Sequence, residues 1–330
     1  MKKILLIGGL LITVLIASLL PRPASTQPEK SLVPLPPDLK GLPTIEAEPW
    51  LQIGESPALF LEGPAFDREG NLYISSLLDS RVLKITPEKK VTTILEQPGL
   101  LPNGIAFNKD GRMFIACSSG KLISLNPDGT NLTYITARYQ GRPVVFNDLV
   151  FDSKGNLYVT DFIGHIGNPA GGVYRFSADF TKVDPVVEGL ALANGIGFTP
   201  SGKELWVAES GRADLVYIQL TEDGIGIRPP AGCTVPYKFT GGCDSMAVDA
   251  AGNTYQCING HGRILVLNPR GIPIVNVLIP GRDEGMHLAV TNLKFKPSTD
   301  EAYATVSGRG GGWVYKFKGL SKGITLFSDK

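Results

Sequence analysis

One phrase recurs six times along this chain, and that repetition constrains the fold more than any other feature of the sequence. It reads EGPAFDREGNLYIS from Glu62, NGIAFNKDGRMFIA from Asn103 and NDLVFDSKGNLYVT from Asn147. It continues as NGIGFTPSGKELWVA from Asn194, DSMAVDAAGNTYQC from Asp244 and NLKFKPSTDEAYAT from Asn292, the first residues lying 41 to 50 positions apart. Each copy is a short apolar run, a turn built on Asp or Pro with Gly, and a second run that usually carries an aromatic. A third run follows most copies, at 81–86, 121–126, 172–176 and 262–267. Short runs bounded by Gly, Pro, Asn and Asp read as strands. Antiparallel units of three to four strands at this spacing are the blades of a β-propeller. The expected fold is therefore all-β, a six-bladed propeller whose closure draws on a terminal strand, either 45–53 or 324–327.

Composition agrees and removes other classes. The 330 residues include 39 Gly and 25 Pro, as a turn-rich β fold requires. With 32 Lys+Arg against 31 Asp+Glu there is no field to hold nucleic acid, and 43% hydrophobic against 19% charged content excludes general disorder. Residues 1–20 begin with Lys2 and Lys3 and continue as 17 uncharged apolar residues, Ile4 to Leu20. That run is long for a signal-peptide core and short for a membrane span, so 1–20 reads as a signal peptide or N-terminal anchor. The protein is expected to be exported, whether secreted, periplasmic or tethered to the outer face of a membrane through residues 4–20. The first Cys is Cys117, too far along for a lipoprotein anchor. Residues 21–43 hold seven prolines and read as an extended linker, leaving 44–330 for the propeller.

The first strand of a propeller blade lines the central channel, so the residues opening the six copies form a ring at one end of it. These are Glu62, Asn103, Asn147, Asn194, Asp244 and Asn292, and each carries a side-chain oxygen. Two carboxylates among neutral amides on one axis suit a hard divalent cation in the channel. Calcium is favoured, with Mg2+, Mn2+ or Zn2+ as alternatives, and no Cys or His holds a lead position. The plainer reading is that Asn and Asp there cap turns. Asp67, Asp152 and Asp249, at the far ends of the first strands, sit in Asp-x-x-Gly turns and are structural. The second strand returns antiparallel, which brings Ser76 near Glu62, Asp161 near Asn147 and Glu209 near Asn194, as ligand-orienting, substrate-facing or rim residues.

The segments LEGPAFD, FNDLVFD, LANGIGF and CDSMAVD stand in order and in register. On these motifs the chain resembles the SMP-30/gluconolactonase/LRE-like family of six-bladed propellers. The segments VTDFIGHIGNPAGGVY, TVPYKFTG, GRILVLNPRG and IPGRDEG are similar to a calcium-dependent lactonase branch of that family, and the likeness spans residues 44–320. The resemblance implies that Glu62, Asn147, Asn194 and Asp244 are metal ligands, that Ser245 lies near the metal, and that Asp244 is the general base. Asn103 and Asn292 carry over as channel-lining residues only. Val145 stands where sugar lactonases of the family carry Arg, and Asn147 stands where the lactonase branch has Asp.

The implied reaction opens a small lactone or ester, the metal polarising the carbonyl and Asp244 taking a proton from water. Asp161 and Glu209 are alternative bases. No G-x-S-x-G elbow is present, and His165, His261 and His287 lack zinc-type spacing, although His165 and His287 are candidates for contacting substrate at the entrance. Cys233 and Cys243 flank one loop and form the best candidate disulfide, against two separate buried thiols. Arg282 in IPGRDEG sits in a charged loop and is a lesser candidate for meeting an acidic substrate. The rival function classes are a non-catalytic ligand- or partner-binding propeller and a promiscuous arylesterase or phosphotriesterase.

Overall fold

The innermost strands of the fold are Leu61–Phe66, Pro102–Phe107, Phe146–Phe151, Ala193–Phe198, Gly242–Val248 and Ala289–Phe295, one from each copy of the repeat. The computed structural model describes residues 31–135, 138–139 and 141–329; the apolar run 1–20 and the start of the Pro-rich stretch lie outside the described residues. From each inner strand a sheet of antiparallel strands steps outward in chain order. Neighbouring inner strands touch all the way round, the sixth packing on the first, so the described sheets close into a six-bladed propeller.

Hydrophobic burial is divided among the blade interfaces. Separate apolar clusters lie between blades one and two, two and three, and so on to six and one. The repeat explains this directly, because each copy ends its first strand with Phe or Val and places an aromatic in most second strands. The second-strand aromatic packs edge-on against the strand-ending Phe of the next blade: Tyr73 on Phe107, Phe114 on Phe151, Tyr158 on Phe198 and Tyr255 on Phe295, with centroids 5.1–5.2 Å apart. Tyr303 and Phe66 repeat the contact across the closure. Such pairs contribute about 0.5–1.5 kcal/mol each beyond area burial.

Closure uses the N-terminal candidate. Glu48–Gly54 pairs antiparallel with Gly312–Lys318 as the outer strand of blade six, while Thr44–Glu46 runs parallel to Pro273–Leu278 at the edge of blade five. The other candidate, Ile324–Phe327, crosses the turn end of the channel: the Ile324 amide donates to the Val248 carbonyl and the Phe327 ring lies 5.6 Å from that of Phe151.

Two expectations need correction. The Pro-rich stretch from Leu32 onward is packed rather than free. A 3-10 turn at Pro37–Leu39 turns the Leu39 side chain into the apolar cluster with Trp206, Phe239 and Leu265. Prolines cannot donate, but the carbonyls around them accept: Asn276 Nδ2 donates to Leu39 O at 2.9 Å and Arg282 donates to Val33 O. Buried Arg282 also donates to His261 O at 3.0 Å, so it fastens the N-terminal segment and does not face an acidic ligand. The second correction concerns Cys233 and Cys243, which are both free thiols. Cys233 lies on the exposed outer strand of blade four and Cys243 on the buried inner strand of blade five, so a short separation in sequence spans the path from rim to channel.

The Asp-x-x-Gly turns behave as expected. Asp67 Oδ1 accepts the Asn71 amide at 2.8 Å, Asp152 Oδ1 the Asn156 amide at 2.9 Å, and Asp249 Oδ1 the Asn253 amide at 2.8 Å.

Candidate active site

Every inner strand carries one extra residue relative to its partner at its opening end. The pairing jumps between Glu62 and Ala65, Pro102 and Ile105, Phe146 and Leu149, Ala193 and Ile196, Cys243 and Met246, and Val290 and Asn292. A β-bulge releases side chains from strict alternation and re-aims them, so a bulge repeated six times gathers polar groups at one end of the channel. The inner strands also approach closely there. A Cβ on Gly104 would meet Asp148 Oδ1 at 2.5 Å, and one on Gly195 would meet the Ser245 Cα at 2.5 Å.

The bulge register corrects one lead residue. In blades one to five the lead lies four positions before the strand-ending Phe or Val, but Asn292 lies only three before Phe295. Thr291 is the true equivalent of Glu62, and its hydroxyl donates to the Leu61 carbonyl of blade one at 2.6 Å. Asn292 is shifted to the position of Asp148 and Ser245. It still serves the site, because its side chain hydrogen-bonds Glu62.

Glu62, Asp148 and Asp244, from blades one, three and five, are buried and feel each other's charge at the common axis. Burial first, then Asp244 and Asp148, hold Glu62 well above the usual carboxylate range. Burial pushes Asp244 up to about 6, although Asn259 and Asn194 hydrogen-bond it; Asn259 Nδ2 donates to Asp244 Oδ2 at 2.7 Å. Asp148 is raised by burial and partly relieved by the Lys294 ammonium.

The amides are pinned by one repeated device. Asn103 Nδ2 donates to Ser118 Oγ at 3.3 Å, and Asn194 Nδ2 donates to Ser210 Oγ at 3.1 Å. Ser118 Oγ in turn donates to Phe146 O, and Ser210 Oγ to Cys243 O, in the next blade. With the amide nitrogen tied outward, the oxygen is left over. Asn103 Oδ1 and Asn147 Oδ1 are buried without a hydrogen-bond partner among the described residues, a costly state for an acceptor unless something binds it. Ser245 Oγ lies 3.4 Å from Asn194 Oδ1. Two orphaned oxygens beside buried, mutually repelling carboxylates fit a hard cation. Among the described residues no three Asp, Glu, His or Cys side chains converge on one point, so amide oxygens must complete any such site.

The other expected residues lie elsewhere or are occupied. Asp161 accepts the Val145 amide at 2.8 Å and pairs with Arg142 at 2.7 Å; Glu209 accepts the Ala191 amide at 2.7 Å and pairs with Arg212 at 2.6 Å. Both brace the chain entering their blade's first strand. Ser76 Oγ donates to Asp79 at 2.9 Å, away from Glu62. His165 sits in an exposed loop, accepting the Gly167 amide at 3.2 Å. His287 Nδ1 lies 2.9 Å from both the Pro280 carbonyl oxygen and the Tyr315 hydroxyl. The nearby Cys257 thiol is held well above its ordinary pKa by burial and then by Asp244, Glu62 and Asp148, which disfavours a thiolate nucleophile.

Sequence reasoning passed over Asp148 and Asn259. Asp148 replaces the Gly that follows the lead residue in blades one, two and four, a visible exception within the repeat. Asn259 ends the second strand of blade five, where the hairpin count that selected Asp161 and Glu209 also lands.

This arrangement defines a class of molecule, a six-bladed propeller with a carboxylate–amide cluster at one end of its channel. The chain belongs to the SMP-30/gluconolactonase/LRE-like family, whose model matches residues 60–303. It is 39% identical to a protein named lactonase drp35 from Staphylococcus saprophyticus subsp. saprophyticus over 306 residues, 89% of this chain and 94% of that one. The fold is similar to that of a calcium-binding protein, regucalcin, from Agrobacterium tumefaciens (TM-score 0.70, 18% identity, 86% of this chain and 98% of that one). It is also similar to that of the gluconolactonase XC5397 from Xanthomonas campestris (TM-score 0.67, 19% identity, 90% and 98%).

Proposed function

We propose that this protein is an exported, divalent-metal-dependent lactonase, with calcium the favoured ion. The observation that carries the reading is the pair of orphaned amide oxygens, Asn103 Oδ1 and Asn147 Oδ1, beside the buried carboxylates Glu62 and Asp244. Likeness to relatives named lactonases supports the substrate class. Glu62, Asn147, Asn194 and Asp244 would hold the ion, with Ser245 alongside Asn194 and the Asn103 oxygen also available. Bound there, a divalent ion supplies positive charge that polarises a lactone carbonyl and stabilises negative charge on its oxygen.

The chain's own groups manage the proton. Asp244 takes a proton from the attacking water as the water oxygen bonds to the carbonyl carbon. Asp244 then returns that proton to the ring oxygen as the acyl carbon–oxygen bond breaks, leaving a hydroxycarboxylic acid. Asn259 fixes one Asp244 oxygen at 2.7 Å, which orients the other. Asp161 and Glu209, each already paired with an arginine, position strands and do not act as bases.

A lactone panel tests the proposal on the full chain, with calcium and with chelator. The expected result is turnover of at least one lactone that chelation abolishes and calcium restores. Absence of turnover on every lactone and ester tried, despite bound calcium, overturns it in favour of a binding propeller.

A further inference from the structure

Three positions beyond each lead residue, the inner strands carry Ala65, Ala106, Val150, Gly197, Ala247 and, in corrected register, Lys294. Five small apolar residues and one lysine therefore ring the channel toward its turn end, away from the bulges. The small side chains leave room. A cavity of about 380 Å³ lies there, walled by Phe151, Ile196, Phe198, Val248, Phe295 and Ile324 and reached by Lys294. A volume of this size accommodates a small organic ligand.

The tail of the chain forms the cavity's outer wall. The Gly323 amide donates to Thr299 O and the Ile324 amide to Val248 O, while Arg68 Nε of blade one donates to Ser328 O at 2.9 Å. Residues 323–328 thus strap the turn end of the channel from blades five and six across to blade one. Within the cavity the polar groups are unequally satisfied. Asp152 is consumed by the amides of Lys154 and Asn156 and by the Asn156 side chain. Asp329 accepts the Leu326 amide and the Ser328 hydroxyl. Lys294 feels the charges of Asp148 and Asp329 but makes no hydrogen bond or ion pair among the described residues. A half-buried ammonium without a direct partner is poorly compensated for its lost hydration, and the repeat requires no lysine at that position.

We propose that this cavity is a second binding site, separate from the carboxylate–amide cluster, for a small apolar monocarboxylate whose carboxylate pairs with Lys294. One cation selects a single negative charge, and the aromatic and aliphatic walls select an apolar body. The site stands on its own geometry and does not depend on lactone hydrolysis.

Calorimetry of the chelated full chain with octanoate tests the assignment, with octylamine as a probe of equal length and opposite charge. Octanoate is expected to bind saturably at one site and octylamine not to bind. Lys294→Met keeps the length and removes the charge, and loss of a charge-assisted contact predicts binding weaker by about tenfold to hundredfold. Ile324→Trp, which fills the cavity from the strap and leaves the lysine in place, is expected to abolish binding. Asp244→Asn is expected to leave it unchanged, which separates this site from the opposite end. Absence of octanoate binding to the wild type, equal binding of octylamine, or affinity unaltered in both cavity variants overturns the proposal.

Discussion

The two ends of the channel are built from the same six strands and have opposite characters. At the bulged end polar groups converge and are left unsatisfied: carboxylates face carboxylates, and two amide oxygens lack donors. At the turn end polar groups are paired locally. Asp249, for example, takes the amides of Ala251 and Asn253, the Asn253 side chain and the Tyr255 hydroxyl. Lys294 and the buried Thr254 hydroxyl are exceptions there. A repeat thus separates its tasks along one strand, with folding secured at one end and electrostatic tension concentrated at the other. Unsatisfied polar groups that the surrounding structure holds in place mark function better than polar groups as such.

The sharpest way to break this comparison is to change the bulged-end carboxylates one at a time. Asp244→Asn removes the proposed base and is expected to lower kcat by about 100- to 10,000-fold, with no recovery in excess calcium. Glu62→Gln keeps the shape and one oxygen, and its activity is expected to recover largely as calcium is raised. Steady-state kinetics over a calcium titration check both. Full rescue of Asp244→Asn would reduce Asp244 to a ligand and remove the proposed division of labour.

Much of this contrast was readable in the repeat, and its limits have physical causes. The motif EGPAFD and its copies specify strand, turn and strand, and placing the lead residues at one end needs only the direction of the first strand. The bulges were not legible, because an extra residue changes no residue type. A one-residue ambiguity in TNLKF therefore moved the lead from Thr291 to Asn292 and hid Lys294 from the channel. Asp161 and Glu209 were placed at the correct strand ends, but the arginines that occupy them come from outside the hairpin, from Arg142 before the first strand and Arg212 after the second. Cys233 and Cys243 failed as a pair because closeness in sequence carries no information on whether the chain runs from rim to axis between them.

A smaller effect sharpens the electrostatic side. Glu62, Asp148 and Asp244 all have pKa values raised by burial, so the folded chain holds protons that the unfolded chain releases. Stability from these groups is fully present below the unfolded carboxylate range, around pH 4, and is lost as pH rises through the Asp244 value of about 6. Half-buried His261, with its pKa lowered, works in the opposite direction, so the comparison must be made between variants. With chelator, the wild type is expected to lose a few °C of Tm relative to Asp244→Asn between about pH 4.5 and 6.5. Calcium should close that gap. Melting curves in which the wild type gains on the variant across this window contradict the assignment of tension to the bulged end.

The smallest effect on activity is expected at the turn end, and it tests whether the two ends are energetically separate. Asp249→Ala leaves the Asn253 amide, its side-chain nitrogen and the Tyr255 hydroxyl without the acceptor they share, 2.8–3.0 Å away. Buried donors left unpaired cost about 1–3 kcal/mol each when nothing relaxes; water reaching the loosened turn recovers part of that, so a net loss of about 2–4 kcal/mol is expected. Tm should therefore fall by roughly 3–7 °C for a domain of this size. Asp249 lies on the same inner-strand path as Asp244, five residues further along, so communication along that strand should run through it. Sites with no shared partners usually act independently, and kcat/KM per folded molecule is expected to stay within about twofold of wild type. Thermal melts and kinetics well below the lowered Tm measure the two quantities separately. A large fall in kcat/KM while the variant remains folded would mean that the turn sets the register of the bulge, and that the two ends form one mechanical unit.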